Sequence, residues 1–364
     1  MKKIVALAMA AVLGAMSLLG CTNDGSSAAG GDSAATEAKT EPASEAEPAA
    51  DAEEPAADAQ AASESEGASD GKKYKLAYIT RAQVDSFGAW LADSMVKVAA
   101  EEYPDIEVVV FDGQSKNEVA EQHIDNAIVN GFDGVLLQPI DPEAAAGPMA
   151  RAMEAGLKVA TCNGTVTDPS GKISIIDADP FEQAKVAADY AIDHVPENAN
   201  VVVLLGPAGN EHSLKRHEAW KTEFFDKRPD VKILDTQIAN WNKDEAMRFM
   251  EDWIQTYPQI DAIISMNDNM AVGAGEAARS AGLENIQAYG VDGDAGGCLG
   301  VRDGLITATV LQSAEDIARD SLAVMNKLFK GESEFEKVMI EAKLITIENV
   351  DEYIKMHQDA GNLD

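Results

Sequence analysis

Basic residues are scarce in this chain: 29 Lys and Arg stand against 63 Asp and Glu, a formal net charge of −34. Nucleic acid is excluded as a partner, because phosphates require a basic footprint. Cysteine is rarer still, with three in 364 residues. Three thiols say little about disulfides; Cys162 and Cys298, far apart in sequence, read as two unpaired buried thiols rather than as a pair. Aromatics make up only 5% of the chain. No apolar run reaches the length of about 20 residues that a membrane-spanning helix requires. Catalytic signatures are missing too: there is no phosphate loop, no Gly-x-Ser-x-Gly elbow, no His-Glu-x-x-His and no paired-cysteine motif, and the five histidines are scattered singly. Nothing in the sequence calls for an enzyme, a cofactor or a metal.

What is present begins with an export signal. Lys2 and Lys3 precede a short apolar stretch from Ile4 to Leu19, which ends in Leu18-Leu19-Gly20-Cys21. That run is too short and too weak for a spanning helix, and its ending resembles a bacterial lipobox. The expectation is a signal peptide over residues 1–20 and an acylated Cys21 that anchors an extracytoplasmic protein to the cell membrane. Residues 22–71 contain no aromatic residue and carry thirteen acids against Lys39 alone. Such a segment buries too little apolar surface to offset chain entropy, and its like charges extend it. Residues 21–71 are therefore read as a disordered acidic tether. From about Lys72 onward the chain is long enough for two domains with ordinary cores.

That remainder alternates apolar runs with helical stripes. Tyr74–Thr80, Ile106–Phe111, Asp133–Pro139 and Leu157–Cys162 read as strands. Between them fall a helix carrying Leu91, Met95, Val98 and Ala99, a second carrying Ala120, Ile124, Ala127 and Ile128, and a third from Pro142 to Gly156. Ser115 and Glu118 have the spacing of a capping box before the second. The alternation restarts with strands at Val201–Leu205, Val231–Asp235, Asp261–Met266, Gln287–Val291 and Thr307–Leu311. Near-continuous β-branched runs separated by amphipathic helices indicate parallel strands buried on both faces. Two such series predict an α/β protein of two doubly wound parallel-sheet lobes.

In open sheets of this kind the ligand crevice lies at the strand C-termini. The residues there are polar: Thr80-Arg81, Gln138, Asn163, Gly206 onward, Asn267-Asp268, Asp292 and Gln312. Planar carboxylate, amide and guanidinium groups suit vicinal hydroxyls, each of which donates and accepts. Trp241 and Phe87 offer flat apolar surface for a sugar's C–H face. Each polar residue alone is equally a loop or helix cap; their succession at strand ends points to a site.

These segments carry a resemblance. Residues Tyr74 to about Glu352 are similar to the type I periplasmic binding proteins for simple sugars, the ribose- and galactose/glucose-binding group. Gly-Pro-Ala-Gly-Asn-Glu-His-Ser-Leu-Lys-Arg (206–216) resembles the segment that ends in a sugar-binding arginine, here Arg216. Ile-Ala-Asn-Trp (238–241) resembles the one supplying a stacking tryptophan, Trp241. Ser-Met-Asn-Asp-Asn-Met-Ala-Val-Gly-Ala (265–274) is the most specific match and implies Asn267 as a ligand residue; Tyr-Gly-Val-Asp and Thr-Val-Leu-Gln imply Asp292 and Gln312. Thr-Cys-Asn-Gly (161–164) implies Asn163, and the looser match near the N-terminus implies Arg81, Asp85 and Phe87.

The resemblance implies further expectations. The chain crosses between lobes near Ala178, after Gln312 and near Lys343, so residues 73–178 with 313–343 form one lobe and 179–312 with 344–364 the other. The implied function is the monomeric solute-binding component of an ABC importer, delivering a sugar or small polyol to a permease. A nucleoside, an inositol, a furanosyl signal, or a sensing role beside a receptor kinase remain as alternatives. One departure stands out. Galactose/glucose binders have an aspartate four residues before the ligand arginine, where this chain has His212, either a site residue or a solvated loop histidine. Their calcium loop has no counterpart in residues 194–200.

Overall fold

A computed structural model describes residues 73–363; the export signal, Cys21 and the whole acidic segment lie outside the described residues. The first half of the described chain runs β1 (Tyr74–Thr80), α1 (Ser86–Glu102), β2 (Ile106–Asp112), α2 (Asn117–Val129), β3 (Gly134–Leu137), α3 (Pro142–Glu154), β4 (Lys158–Cys162) and β5 (Ser174–Ala178). A second series follows: α4 (Pro180–His194), β6 (Asn200–Leu205), α5 (Glu211–Ala219), β7 (Lys232–Ile238), α6 (Lys243–Thr256), β8 (Ala262–Ser265), α7 (Asp268–Ser280), β9 (Gln287–Tyr289), α8 (Ala295–Arg302) and β10 (Ala308–Leu311). The chain closes with α9 (Ala314–Lys330), β11 (Lys337–Ile340), β12 (Lys343–Thr346) and α10 (Val350–Ala360).

The strands form two six-stranded sheets, in the orders β11-β5-β4-β3-β1-β2 and β12-β10-β9-β8-β6-β7. The chain thus passes from the first sheet to the second after β5, returns after β10 and crosses again between β11 and β12. All strand pairs are parallel except β10 with β12, which is antiparallel. This edge strand departs from the all-parallel expectation because the two-residue link from β11 brings the chain across without a helix to reverse it. The apolar runs behave as their composition requires: Leu76, Ala77, Tyr78 and Ile79 in β1 and Val201 to Leu204 in β6 are buried, since helices cover both faces of each sheet.

Most helices begin with a side-chain cap supplied just beyond a strand. Asp85, Asp141, Asp179, Asn210, Asn267, Asp294 and Ser313 accept from backbone N–H groups in the first turns of α1, α3, α4, α5, α7, α8 and α9. Pro142 and Pro180 follow two of these caps at the first helical position, where the missing N–H costs nothing. The capping box expected at Ser115 and Glu118 does not form. Ser115 takes φ +54° in the turn after β2, so α2 starts two residues later and has no side-chain cap.

One carboxylate is built into the second lobe. Asp268, fully buried in the first turn of α7, accepts from the Thr309 hydroxyl (2.6 Å) and from the Gly293 backbone N–H (2.8 Å). A Cβ at Gly297 would overlap it, so the absence of a side chain there makes its room. Burial, reinforced by the charge of Asp294, pushes its pKa up to about 8. In the unfolded chain it titrates near the ordinary value of about 4. Between those values the native state holds an extra proton, so stability falls as pH rises through that window, by at most about 1.4 kcal/mol per pH unit. Asp268→Asn keeps the shape and can donate to Thr309 while accepting from Gly293. Urea unfolding of the variant between about pH 4 and pH 8 is expected to show a flatter decline and a gain over wild type at the alkaline end. An unchanged slope would refute the buried, proton-holding assignment.

Candidate functional site

The C-terminal ends of the two sheets face each other across a cleft. Arg81 follows β1 and Asn163 follows β4 in the first lobe; His212 and Arg216 lie on α5, Trp241 and Asn267 follow β7 and β8, and Asp292 and Gln312 follow β9 and β10 in the second. All eight line a single small cavity of about 10 Å³, and all eight are buried. Asp85 and Phe87 do not line it. The Asp85 carboxylate caps α1 and pairs with the Arg81 guanidinium, while Phe87 sets its ring edge-on against Trp90, with centroids 5.9 Å apart. Phe87 is therefore part of the buried apolar packing of α1 and lies outside the cavity lining.

Amide groups bind the cavity wall together. The Thr80 hydroxyl (2.9 Å) and the Arg81 N–H (3.0 Å) donate to Gln138 Oε1. Gln138 Nε2 donates to Asn163 Oδ1 (2.8 Å), and Asn163 Nδ2 donates across the cleft to Gln312 Oε1 (3.0 Å). Gln312 Nε2 then donates to Asp292 Oδ1 (2.7 Å). Every donor in this chain points the same way, so each bond polarises the next toward the carboxylate at its end.

The second lobe supplies the cation. Arg216 donates through its first terminal nitrogen to the Met266 carbonyl (2.6 Å), and the same nitrogen lies 3.7 Å from Asp292 Oδ1. Its Nε (3.0 Å) and other terminal nitrogen (2.8 Å) both donate to Gln183 Oε1. Burial pushes the Asp292 carboxyl up and the guanidinium down, and the attraction between the two opposes both shifts. Asp292 does not cap α8; Asp294 does. Asn267 combines both expected roles: its Oδ1 caps α7 by accepting from Met270 N–H (3.0 Å), while the residue lines the cavity.

His212 is not a solvated loop histidine. It is 3% exposed on α5, with Nε2 at 3.1 and 3.2 Å from the two oxygens of Asp177 at the end of β5, and Nδ1 3.4 Å from Arg216. The Trp241 ring covers Gly206 so closely that a Cβ there would overlap it. The guanidinium centres of Arg81 and Arg216 lie 5.6 and 5.8 Å from its centroid. Three of the cavity residues hold left-handed backbone: Asn163 at φ +49°, Trp241 at +61° and Asp292 at +136°. A bulky residue such as tryptophan rarely adopts that region, and such strain concentrates at binding sites.

Gln183 and Asp177 were not singled out in the sequence, although both touch the cavity residues directly. Gln183 interrupts the buried stripe of Pro180, Ala184, Ala187, Ala188 and Ala191 on α4, and a lone amide on such a stripe is the signal that could have marked it. Asp177 sits in β5, a strand that the apolar runs did not reveal. Cys162 and Cys298 are free and buried.

Comparison with known proteins agrees with this architecture. A family model for the periplasmic binding protein domain matches residues 76–333. A xylitol-binding protein of Mycolicibacterium smegmatis is 29% identical over 240 residues, 65% of this chain and 68% of that one. A ribose import binding protein of Salmonella typhimurium is 27% identical over 238 residues, 65% of this chain and 79% of its own length. Among solved structures, a galactofuranose binding protein superposes with a TM-score of 0.75 at 19% identity, over 79% of this chain and 99% of that chain. An ABC transporter solute binding protein from Bacillus halodurans with bound myo-inositol superposes with a TM-score of 0.72 at 25% identity, over the same shares, 79% and 99%. With the matching model spanning well over half its length, this chain belongs to the periplasmic binding protein family.

Proposed function

We propose that this protein is the extracytoplasmic solute-binding component of an ABC importer, and that it binds a neutral monosaccharide or similar small polyol between its lobes. The observation that carries this reading is the charge balance of the cavity. Arg81 pairs with Asp85 and Arg216 faces Asp292, so neither cation is free to neutralise an anionic ligand. The remaining polar groups are amides and an imidazole, which match hydroxyls that donate and accept. Relatives named for xylitol and ribose, and the neighbour holding myo-inositol, belong to the same ligand class. The reading is of a binding protein, not an enzyme.

Side chains from both lobes surround the cavity, so ligand contact favours the arrangement in which the lobes are together. We assign Arg81, Asn163, His212, Arg216, Trp241, Asn267, Asp292 and Gln312 to the ligand and give Asp85 the task of holding Arg81. A permease would read the closed arrangement from the spacing of surface groups on the two lobes. We further propose that the monomer is held at the membrane by an acylated Cys21, with the acidic segment as tether. Cys21→Ser is expected to move the protein from the membrane fraction to the soluble fraction on fractionation; retention at the membrane would remove that assignment.

A thermal-shift screen with D-ribose, D-allose, L-arabinose, xylitol, myo-inositol, a sugar acid and a nucleoside identifies the ligand class, since binding to the native state alone raises the melting temperature. Neutral polyols should shift it and the sugar acid should not. Asp292→Ala and Arg216→Ala are each expected to weaken binding by about 2–5 kcal/mol, because each strands a buried charge. Trp241→Ala should cost less, about 1–3 kcal/mol of lost apolar contact. Calorimetry read beside the melting curves checks this: affinity unchanged in Asp292→Ala would sink the site assignment.

A further inference from the structure

Gln183 lies outside the cavity lining, yet it touches the two polar groups on which that lining depends. It is fully buried on α4, on the second-lobe side of the crossing after β5. Its Oε1 takes two of the donors of Arg216, at 3.0 and 2.8 Å, and its Nε2 donates to Gln312 Oε1 at 3.0 Å. Gln312 Oε1 is also the atom that accepts from Asn163 of the other lobe, at 3.0 Å. One amide therefore fixes the plane of the guanidinium and shares an acceptor with the bond that joins the lobes.

We propose that Gln183 is a positioning residue for ligand recognition: it orients Arg216 toward the cavity and couples that orientation to the Asn163–Gln312 contact between lobes. The physical reasons are two. A guanidinium on a flexible stem loses rotamer freedom when it binds, and a partner that already holds its Nε edge removes that cost from the binding step. Gln183 and Asn163 both donate to Gln312 Oε1, and each polarises that amide so that its Nε2 donates more strongly to Asp292, the carboxylate that Arg216 faces; the lobe contact and the arginine's aim therefore act on the same group. Neighbours on the helix cannot substitute, since the other buried residues of α4, Pro180, Ala184, Ala187, Ala188 and Ala191, carry no hydrogen-bonding side chain.

This inference rests on the proposed polyol-binding role, and the test keeps the two apart. Wild type, Gln183→Leu, Gln183→Glu, Arg216→Met and the double variant Gln183→Leu/Arg216→Met are titrated calorimetrically with the neutral polyol of the panel above that gives the largest thermal shift. Gln183→Leu keeps the volume and removes both hydrogen-bonding functions; its affinity is expected to fall about tenfold or more. Gln183→Glu keeps the acceptor for Arg216 and should recover part of that loss. In the Arg216→Met background, Gln183→Leu should cause little further loss, because its effect runs through the arginine. Equal losses in both backgrounds, accompanied by a matching fall in melting temperature, would mean a merely structural role and overturn the proposal. Tight binding by Gln183→Leu would overturn it outright. If no polyol binds wild type, the functional reading fails and this inference with it.

Discussion

Burying a guanidinium and a carboxylate 3.7 Å apart, each with about 2% of its surface exposed, costs several kcal/mol per ion unless the surroundings replace the lost water. Around Arg216 and Asp292 they do. The arginine's donors meet the Met266 carbonyl and Gln183, and the aspartate receives the Gln312 amide. Gln312 in turn is held by Gln183 and by Asn163, which is held by Gln138. Gln183 and Gln312 are the amides that touch the two charges directly, and removing either takes a hydrogen-bond partner from a buried ion. The arrangement of both strand-end walls follows from that requirement, including the left-handed backbone at Asn163 and Asp292 that turns each side chain into the chain of bonds.

The fold makes such a network economical because the positions just past parallel strands serve two purposes. A doubly wound sheet needs a cap at the start of each following helix, and the same positions form the floor of the crevice. Asn267 does both at once, capping α7 with Oδ1 while lining the cavity. Asp294 and Asp292 divide the tasks instead, two residues apart: the first caps α8 and the second lines the cavity. A polar residue at a strand end is thus ambiguous in sequence, and only the direction of its side chain resolves it.

That ambiguity explains what could be read in advance. Strands such as β1 and β6, buried on both faces, stand out as apolar runs, and the polar residues after them fall in the cavity as a group. β11 and β12 escaped because they are four-residue edge strands with exposed lysines at their starts, so no continuous run marks them. β5 escaped because its apolar stretch is only Ile175 and Ile176 before Asp177. The spacing of Ser115 and Glu118 matched a capping box, but the turn after β2 consumed Ser115 at a positive φ. Gln183 and Asp177 take their meaning from partners more than 30 residues away in sequence. No local pattern encodes such pairings.

The contacts between the lobes fall into two sets with different consequences. Asn163 with Gln312, and Asp177 with His212, join the lobes through residues that also line or brace the cavity. Others lie away from it, among them the Ser86 hydroxyl donating to Asp294, Thr165 donating through N–H and hydroxyl to Glu211, Asn210 donating to the Ile140 carbonyl, Lys97 donating to the Ala360 carbonyl, and Trp90 packing on His357. Under the proposed closure, this second set favours the closed arrangement whether or not a ligand is present. A ligand's apparent affinity is its intrinsic affinity scaled by the fraction of molecules able to hold it. Changes at Ser86, Thr165 or Glu211 would therefore move the affinities of all ligands together, whereas changes among the cavity residues alter which ligand is preferred. Strength and selectivity of binding are then set by separate groups of residues on the same two lobes.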